Sequence, residues 1–371
     1  MDDLRAYLII NSVIAIPKNR VPRLLREFGG PRGVLAGRPH DWAARGGLTR
    51  QMALRLDEAR RAFPADKEID RARRAGIRIM TRDDADYPAH LGEIHDPPCV
   101  LYVKGAFTPD DANAVAVVGS RNASYYGLSV ARDFAAGLAA FGLTVVSGMA
   151  RGIDTAAHRA ALDAQGRTIA VIGSGLMNIY PAENERLAAQ IAGAGALVSE
   201  FPLDTAPLAQ NFPVRNRIVS GLSRGVLVVE ASLRSGALIT ARCAAEQGRD
   251  VFAIPGKLSS ATSDGAHDLI KNGAHMVTAP EEILRELRGV VAPARLSREP
   301  GRRPPRRPEG ALSEEERRVL AVLDDEPKHI DDICRETGTP AGRAAGVLLG
   351  LEMKAAVRQV PGKMFVAAGR I

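Results

Sequence analysis

Seven short apolar runs, each stopping at a small or polar residue and most of them followed by a helix-patterned segment, fill the stretch from 115 to 278. They are VAVVG at 115–119, TVVSG at 144–148, TIAVIG at 168–173, ALVSE at 196–200, GVLVVE at 225–230, DVFAIP at 250–255 and AHMVT at 274–278. Strands that are apolar at nearly every position are covered on both faces, and strands that alternate with helices run parallel. The pattern restricts this stretch to an α/β domain, a Rossmann-like, doubly wound, mostly parallel sheet. Ligands of such sheets bind beyond the carboxyl ends of the strands.

The residues just past each run are small or basic. They include Gly119, Ser120 and Arg121; Ser147, Gly148 and Arg151; Gly173, Ser174 and Gly175; Arg234, Ser235 and Gly236; and Gly256 with Lys257. Just before the fifth run, NFPVRNRIVSGLS opens a helix with Phe212, Arg215, Asn216 and Arg217. Small residues at strand exits leave backbone N–H groups and helix N-termini uncovered, so an anion can approach closely. With cations beside them, phosphate is the expected ligand. Six of these cations, Arg121, Arg151, Arg215, Arg217, Arg234 and Lys257, are expected on one common basic edge. Glu200 and Glu230, which end strands directly, are read as caps or as partners of exit arginines.

The enzyme signatures that use similar loops fail. After Gly173-Ser174-Gly175 the third glycine of a dinucleotide fingerprint is replaced by Asn178, and Gly256-Lys257 lacks the Ser or Thr of a Walker A loop. Gly221 to Gly225 fits G-x-S-x-G but leads from a helix into a strand, the reverse of a nucleophile elbow. Cys99, Cys243 and Cys334 form no C-x-x-C, and the seven histidines show no metal-binding spacing. No apolar run approaches the roughly 20 residues that span a bilayer. A cytoplasmic protein without cofactor, metal or membrane association is expected.

The chain of 371 residues has room for flanking domains. Residues 1–65 read as short helices, with Thr49 as an N-cap, and resemble a small SAM-like or helix-hairpin-helix domain in which IAIPKNRV replaces the usual glycine hairpin. Residues 66–290 are read as the extended Rossmann-like domain, entered through a helix and two strand-like runs that lead into the sheet and can extend it. Residues 291–311, with five prolines and six arginines, read as a stiff basic linker. Residues 312–371 begin with the capping box Ser313 to Glu316, continue as three helices and end in a hairpin turning at Pro361-Gly362, the pattern of a winged helix. The net charge of +7 is unevenly spread, with 19 bases against 14 acids in residues 1–105 and six against two in the linker. Such an excess suits a polyanionic partner.

The central run resembles the DprA/Smf family of DNA-processing proteins. VAVVGSRNASYYG, VVSGMARGIDTAAHRAAL, VIGSGLMNIYPAEN, SEFPL, NFPVRNRIVSGLS, EASLRSGALITARCAAEQGRDVFAIPG and LIKNGA follow one another in the family's order and spacing. The resemblance implies a protein that binds single-stranded DNA, forms a homodimer and loads RecA recombinase during natural transformation, without catalysis and without a required nucleotide. On that reading the DNA-binding residues are Gly119, Ser120, Arg121, Ser147, Gly148, Arg151, Gly173, Ser174, Gly175, Phe212, Arg215, Asn216, Arg217, Ser235, Gly236 and Lys257. Aromatic residues make up 4% of the chain, so Tyr125, Tyr126, Tyr180 and Phe212 are the few candidates for stacking on bases. The alternative is a Rossmann-fold enzyme or sensor that holds a nucleoside phosphate in the same loops.

Overall fold

The computed structural model describes residues 2–287, 312–324, 326–354 and 356–367. The linker expected at 291–311 lies outside the described residues. The chain divides into two compact units. One runs to Asn122 and resumes at Ala131, and the other joins Ala123–Val130 to the C-terminal segment.

The first unit is built on a nine-stranded sheet made of β1 (Ile77–Thr81), β2 (Val100–Gly105), β3 (Ala114–Val118), β4 (Thr144–Ser147), β5 (Thr168–Val171), β6 (Ala196–Ser199), β7 (Gly225–Val228), β8 (Asp250–Ala253) and β9 (His275–Met276). Its order is β1-β2-β6-β5-β4-β3-β7-β8-β9. From β6 to β9 every pairing is parallel, so the seven strands expected from the sequence form the parallel part of the sheet. β1 and β2 extend it antiparallel, with β2 against β6. The chain winds outward from β3 through β4 and β5 to β6, then returns to the other flank of β3 as β7. That reversal opens a crevice at the carboxyl ends of β3 and β7, where the helices leaving the two strands diverge.

Every residue of β3 to β7 is buried, as apolar strands covered on both faces must be. The pleat sorts them. Ala170 and Ile172 point into one core, with Tyr102 and the N-terminal helices, while Ile169 and Val171 point into the other, with Ala116, Ile218 and Val226.

The N-terminal helices Asp3–Ser12, Val21–Glu27, Pro31–Ala36, Pro39–Ala44 and Arg50–Ala62 share the first of these cores. Thr49 caps the last of them by accepting from Met52 N at 3.3 Å. Polar contacts fix the segment beside the exit of β6. Asn11 Nδ2 donates to Glu200 O at 2.7 Å, Lys18 Nζ donates to Asn11 Oδ1 at 3.0 Å, and Glu68 Oε1 accepts from Leu203 N at 2.8 Å.

In the second unit the expected capping box is present, with Ser313 N donating to Glu316 Oε2 at 2.8 Å and Glu316 N to Ser313 Oγ at 3.2 Å. The helices Glu314–Ala321, Ile330–Thr337 and Ala341–Met353 enclose a small core with Val319, Ile333, Leu348 and Phe365. The expected hairpin is β11 (Val357–Val360) and β12 (Met364–Ala367). A short strand the sequence did not signal, β10 (Lys328–His329), pairs on the other side of β12. The unit is a winged helix.

Candidate nucleic-acid interface

A cavity of about 590 Å³ occupies the crevice at the strand reversal. Its wall comes from the exit of β3 (Gly119, Ser120, Arg121, Asn122), the exit of β4 (Gly148, Ala150, Asp154), the exit of β7 (Ser232, Ser235, Gly236) and the first turns of the helix Asn211–Gly221 (Phe212, Arg215, Asn216). Nine of the sixteen residues expected at the site therefore line one cavity, namely Gly119, Ser120, Arg121, Gly148, Phe212, Arg215, Asn216, Ser235 and Gly236.

Phe212 is the centre of the arrangement. The Arg121 guanidinium carbon lies 5.2 Å from its ring centroid and that of Arg215 5.9 Å, while the Tyr180 ring stands at 5.8 Å, inclined by 59°. Guanidinium groups at this distance from an aromatic face are held by its quadrupole, so an apolar surface and two cations share one wall. Arg121 is exposed and Phe212 half-buried, and both present themselves to a ligand.

Arg215 is buried, and the end of its side chain closes the ends of two strands. Nη1 donates to Gly148 O at 2.6 Å and also to Val171 O, while Nε donates to Asn216 Oδ1 at 3.2 Å. Asn216 in turn donates to Gly236 O at 3.2 Å, which ties the helix to the β7 exit. Gly148 is required here, because a Cβ at that position would stand 2.6 Å from Arg215 Nη2 and 2.7 Å from Cζ. Burial brings the Arg215 pKa down to about 10, with Asp154 opposing the shift and Arg121 adding to it. Arg215 is still a cation at neutral pH. Asp154, the one carboxylate among the described residues lining the cavity, accepts from Ala150 N at 3.2 Å. Burial raises its pKa, and Arg215 offsets part of the rise.

The common basic edge does not form as expected. Arg215 and Arg217 are two positions apart on one helix and so face away from each other. Arg217 is buried on the side opposite Phe212, donating to Asp96 Oδ2 at 3.0 Å and to Glu200 Oε1 at 2.8 Å. It is the partner of a strand-end acid, and it does not reach the cavity. Arg151 also lies outside the lining and pairs with Glu183 through Nε and Nη2, at 2.5 and 2.9 Å. Ser147 Oγ donates to Val117 O and Ser174 Oγ to Asn178 O, while Gly175 N donates to Thr205 O, so these three hold strands and loops together. Gly173 sits behind the Phe212 ring, and Lys257 is half-buried in the loop after β8; neither lines the cavity. Sequence reading left out Asp154, Asn122 and Ser232 as site residues. The pairing of Arg151-Gly152 with Asp154 in the first turn of a helix was the available signal for the first of them.

Among the described residues no cluster of His, Cys, Asp and Glu is suited to a metal ion, and no helix is long and apolar enough to cross a membrane.

Comparison with known proteins gives a consistent result. Residues 78–288 match the family described as DNA recombination-mediator protein A, and residues 303–363 match the DprA winged helix domain. The chain is 45% identical to protein Smf of Escherichia coli over 322 residues, 85% of each chain. It is 49% identical to DNA processing protein DprA of Streptococcus pneumoniae over 203 residues, 55% of this chain and 72% of that protein. The X-ray structure of the S. pneumoniae protein superposes with a TM-score of 0.65 at 37% identity, covering 76% of this chain and 97% of that one. A structure of DNA processing protein A from Helicobacter pylori, described for its single-stranded DNA binding mode, superposes with a TM-score of 0.52 at 30% identity, covering 57% and 96%.

Proposed function

The chain belongs to the DNA recombination-mediator protein A family, and from that premise we propose that it binds single-stranded DNA in the cavity at the strand reversal. The observation that carries the proposal is the Phe212 ring with the Arg121 and Arg215 guanidiniums 5.2 and 5.9 Å from its centroid, beside glycine-bearing strand exits. A single strand offers in alternation what this wall can take: a flat base for Phe212 and a phosphate for the two arginines. Arg215, fixed by backbone carbonyls, acts as a preset charge, and Arg121, exposed, closes over the strand.

Contacts of this kind position a backbone and do not read its sequence, so binding is weakly sequence-dependent. On this reading the protein acts on the strand by binding alone; Asp154, the one carboxylate among the described residues lining the cavity, is engaged by Ala150 N and faces Arg215. In the cytoplasm, as a homodimer, it hands the bound strand to RecA recombinase during transformation or recombination. Residues 66–290 carry the site, flanked by 1–65, whose helices share a core with the sheet, and by 312–371. Titration of labelled single- and double-stranded oligonucleotides at about 50 and 200 mM salt tests the proposal. Arg121→Ala should flatten the log-log salt slope by about 0.7, the share of one neutralised phosphate, equally for all sequences. An unchanged slope removes Arg121 from the site.

A further inference from the structure

Arg20 and Arg23 in the N-terminal helical segment reach the turn that follows Arg45, and none of these three arginines has a carboxylate partner among the described residues. Arg20 Nη1 donates to Gly47 O, Arg23 Nη2 donates to Arg45 O at 3.4 Å, and Arg45 Nη2 donates to Glu27 O at 2.8 Å, with its guanidinium carbon 4.9 Å from the Phe28 centroid. Gly47, at φ 70°, makes the turn, and its missing side chain leaves room for Arg23, whose Nη1 would stand 3.2 Å from a Cβ there. The next helix, Arg50–Ala62, opens immediately after the turn. Its positive end and Arg50 add to the same field.

Five other arginines of the segment are neutralised. Arg5 pairs with Asp2 and Asp66, Arg32 with Asp3, Arg55 with Glu58, and Arg60 and Arg61 with Asp57. Arg20 and Arg23 are held by backbone carbonyls and Arg45 by a carbonyl and the Phe28 ring, and each carbonyl uses one of the five N–H groups of a guanidinium. Arg23 and Arg45 are exposed. Like charges gathered near one turn, two of them exposed and each with donors to spare, make a receptor for an oxyanion, and several such cations together suit a polyanion.

We propose that the turn around Gly47, with Arg20, Arg23 and Arg45, is a second nucleic-acid contact that holds backbone phosphates of a strand longer than the cavity at Phe212 can accommodate. This rests on the single-strand reading of the cavity and extends it.

The test uses the full-length chain carrying Arg20→Gln, Arg23→Gln and Arg45→Gln together, with Arg38→Gln, another exposed arginine of the segment, as control. Trp42, the single tryptophan, is fully buried in this segment and donates to Val34 O, so its emission reports whether the segment stays folded. Binding is measured to oligonucleotides of about six and about thirty nucleotides. For the long strand the triple variant should lose about 2 units of log-log salt slope, at about 0.7 per phosphate, which removes a roughly twentyfold change in affinity between about 50 and 200 mM salt. For the short strand it should match the parent. If Trp42 emission changes, the single substitution Arg23→Glu, at an exposed side chain, replaces the triple variant and should weaken long-strand binding alone. Equal binding of the long strand by parent, control and variant overturns the turn as a contact. Loss of short-strand binding in Arg121→Ala, measured alongside, supports the cavity independently, so the two assignments can fail separately.

Discussion

Arg217→Met separates the roles of two arginines that stand two positions apart in the sequence, Arg215 and Arg217. Arg217 faces Glu200, which is 1% exposed and has one carboxylate oxygen without a partner, and Asp96, whose side chain is 23% exposed. Removing the cation leaves Glu200 in the interior with only Lys18, at 3.9 Å, to balance it. An uncompensated buried charge costs about 3–5 kcal/mol, and Lys18 places the expected loss near the lower end. That is a large share of a domain stability of roughly 5–15 kcal/mol. It should appear as a fall of about 1 M or more in the urea midpoint. The double variant Arg217→Met, Glu200→Gln removes the stranded charge and should recover much of the loss, so a double-mutant cycle gives a large coupling energy. Burial works to raise the Glu200 pKa, but Arg217 and Lys18 outweigh it and hold the pKa below the ordinary carboxylate value. The stabilisation from the pair is therefore present above the unfolded carboxylate pKa and is lost as pH falls through the folded one. The folded fraction of Arg217→Met should keep the parent's salt slope for single-stranded DNA. A variant as stable as the parent, with a slope reduced by about 0.7, would refute the assignment and place Arg217 on the strand.

Two other substitutions follow from the geometry. His158 is fully buried; Thr168 Oγ1 donates to Val145 O, so it accepts from His158 Nδ1–H, and His158 Nε2 has no partner. Burial takes its pKa down to about 3, so stability should fall as pH drops from the unfolded value near 6.5, by up to about 5 kcal/mol, and chemical denaturation of His158→Gln should show a flatter pH dependence; an unchanged pH profile would count against the assignment. Gly148→Ala should displace the Arg215 guanidinium, 2.6 Å from the added Cβ, and weaken single-strand binding by roughly tenfold or more as a charge-assisted hydrogen bond to the strand is broken; wild-type affinity would show that Arg215 is dispensable.

The parallel sheet was readable because its strands are apolar at successive positions, and the site's location follows from where the winding reverses. The antiparallel β1 and β2 carry a weaker signal, with exposed Arg78 and Lys104 breaking the apolar pattern. Loop composition could not say which cations face the cavity. Arg215 and Arg217 look equivalent as residue types, yet helical geometry sends them to opposite sides, a distinction the i, i+2 spacing already contained. Arg151 lies outside the cavity lining and pairs with Glu183, a partner from a different loop that its own sequence neighbourhood does not show. The Gly47 turn is silent in the sequence because Arg20 and Arg23 lie more than 20 positions before it and reach it only once the helices pack.

Photocrosslinking of a single strand carrying 5-iodouracil, followed by peptide mapping of the adducts, tests most directly whether bases rest on Phe212. Adducts are expected on the peptides holding Phe212 and Tyr180, and they should disappear in Phe212→Ala while affinity falls by about 1–3 kcal/mol per stacked base. Adducts confined to residues 312–367, with affinity unchanged in Phe212→Ala, would make the winged helix the strand reader and contradict the cavity assignment.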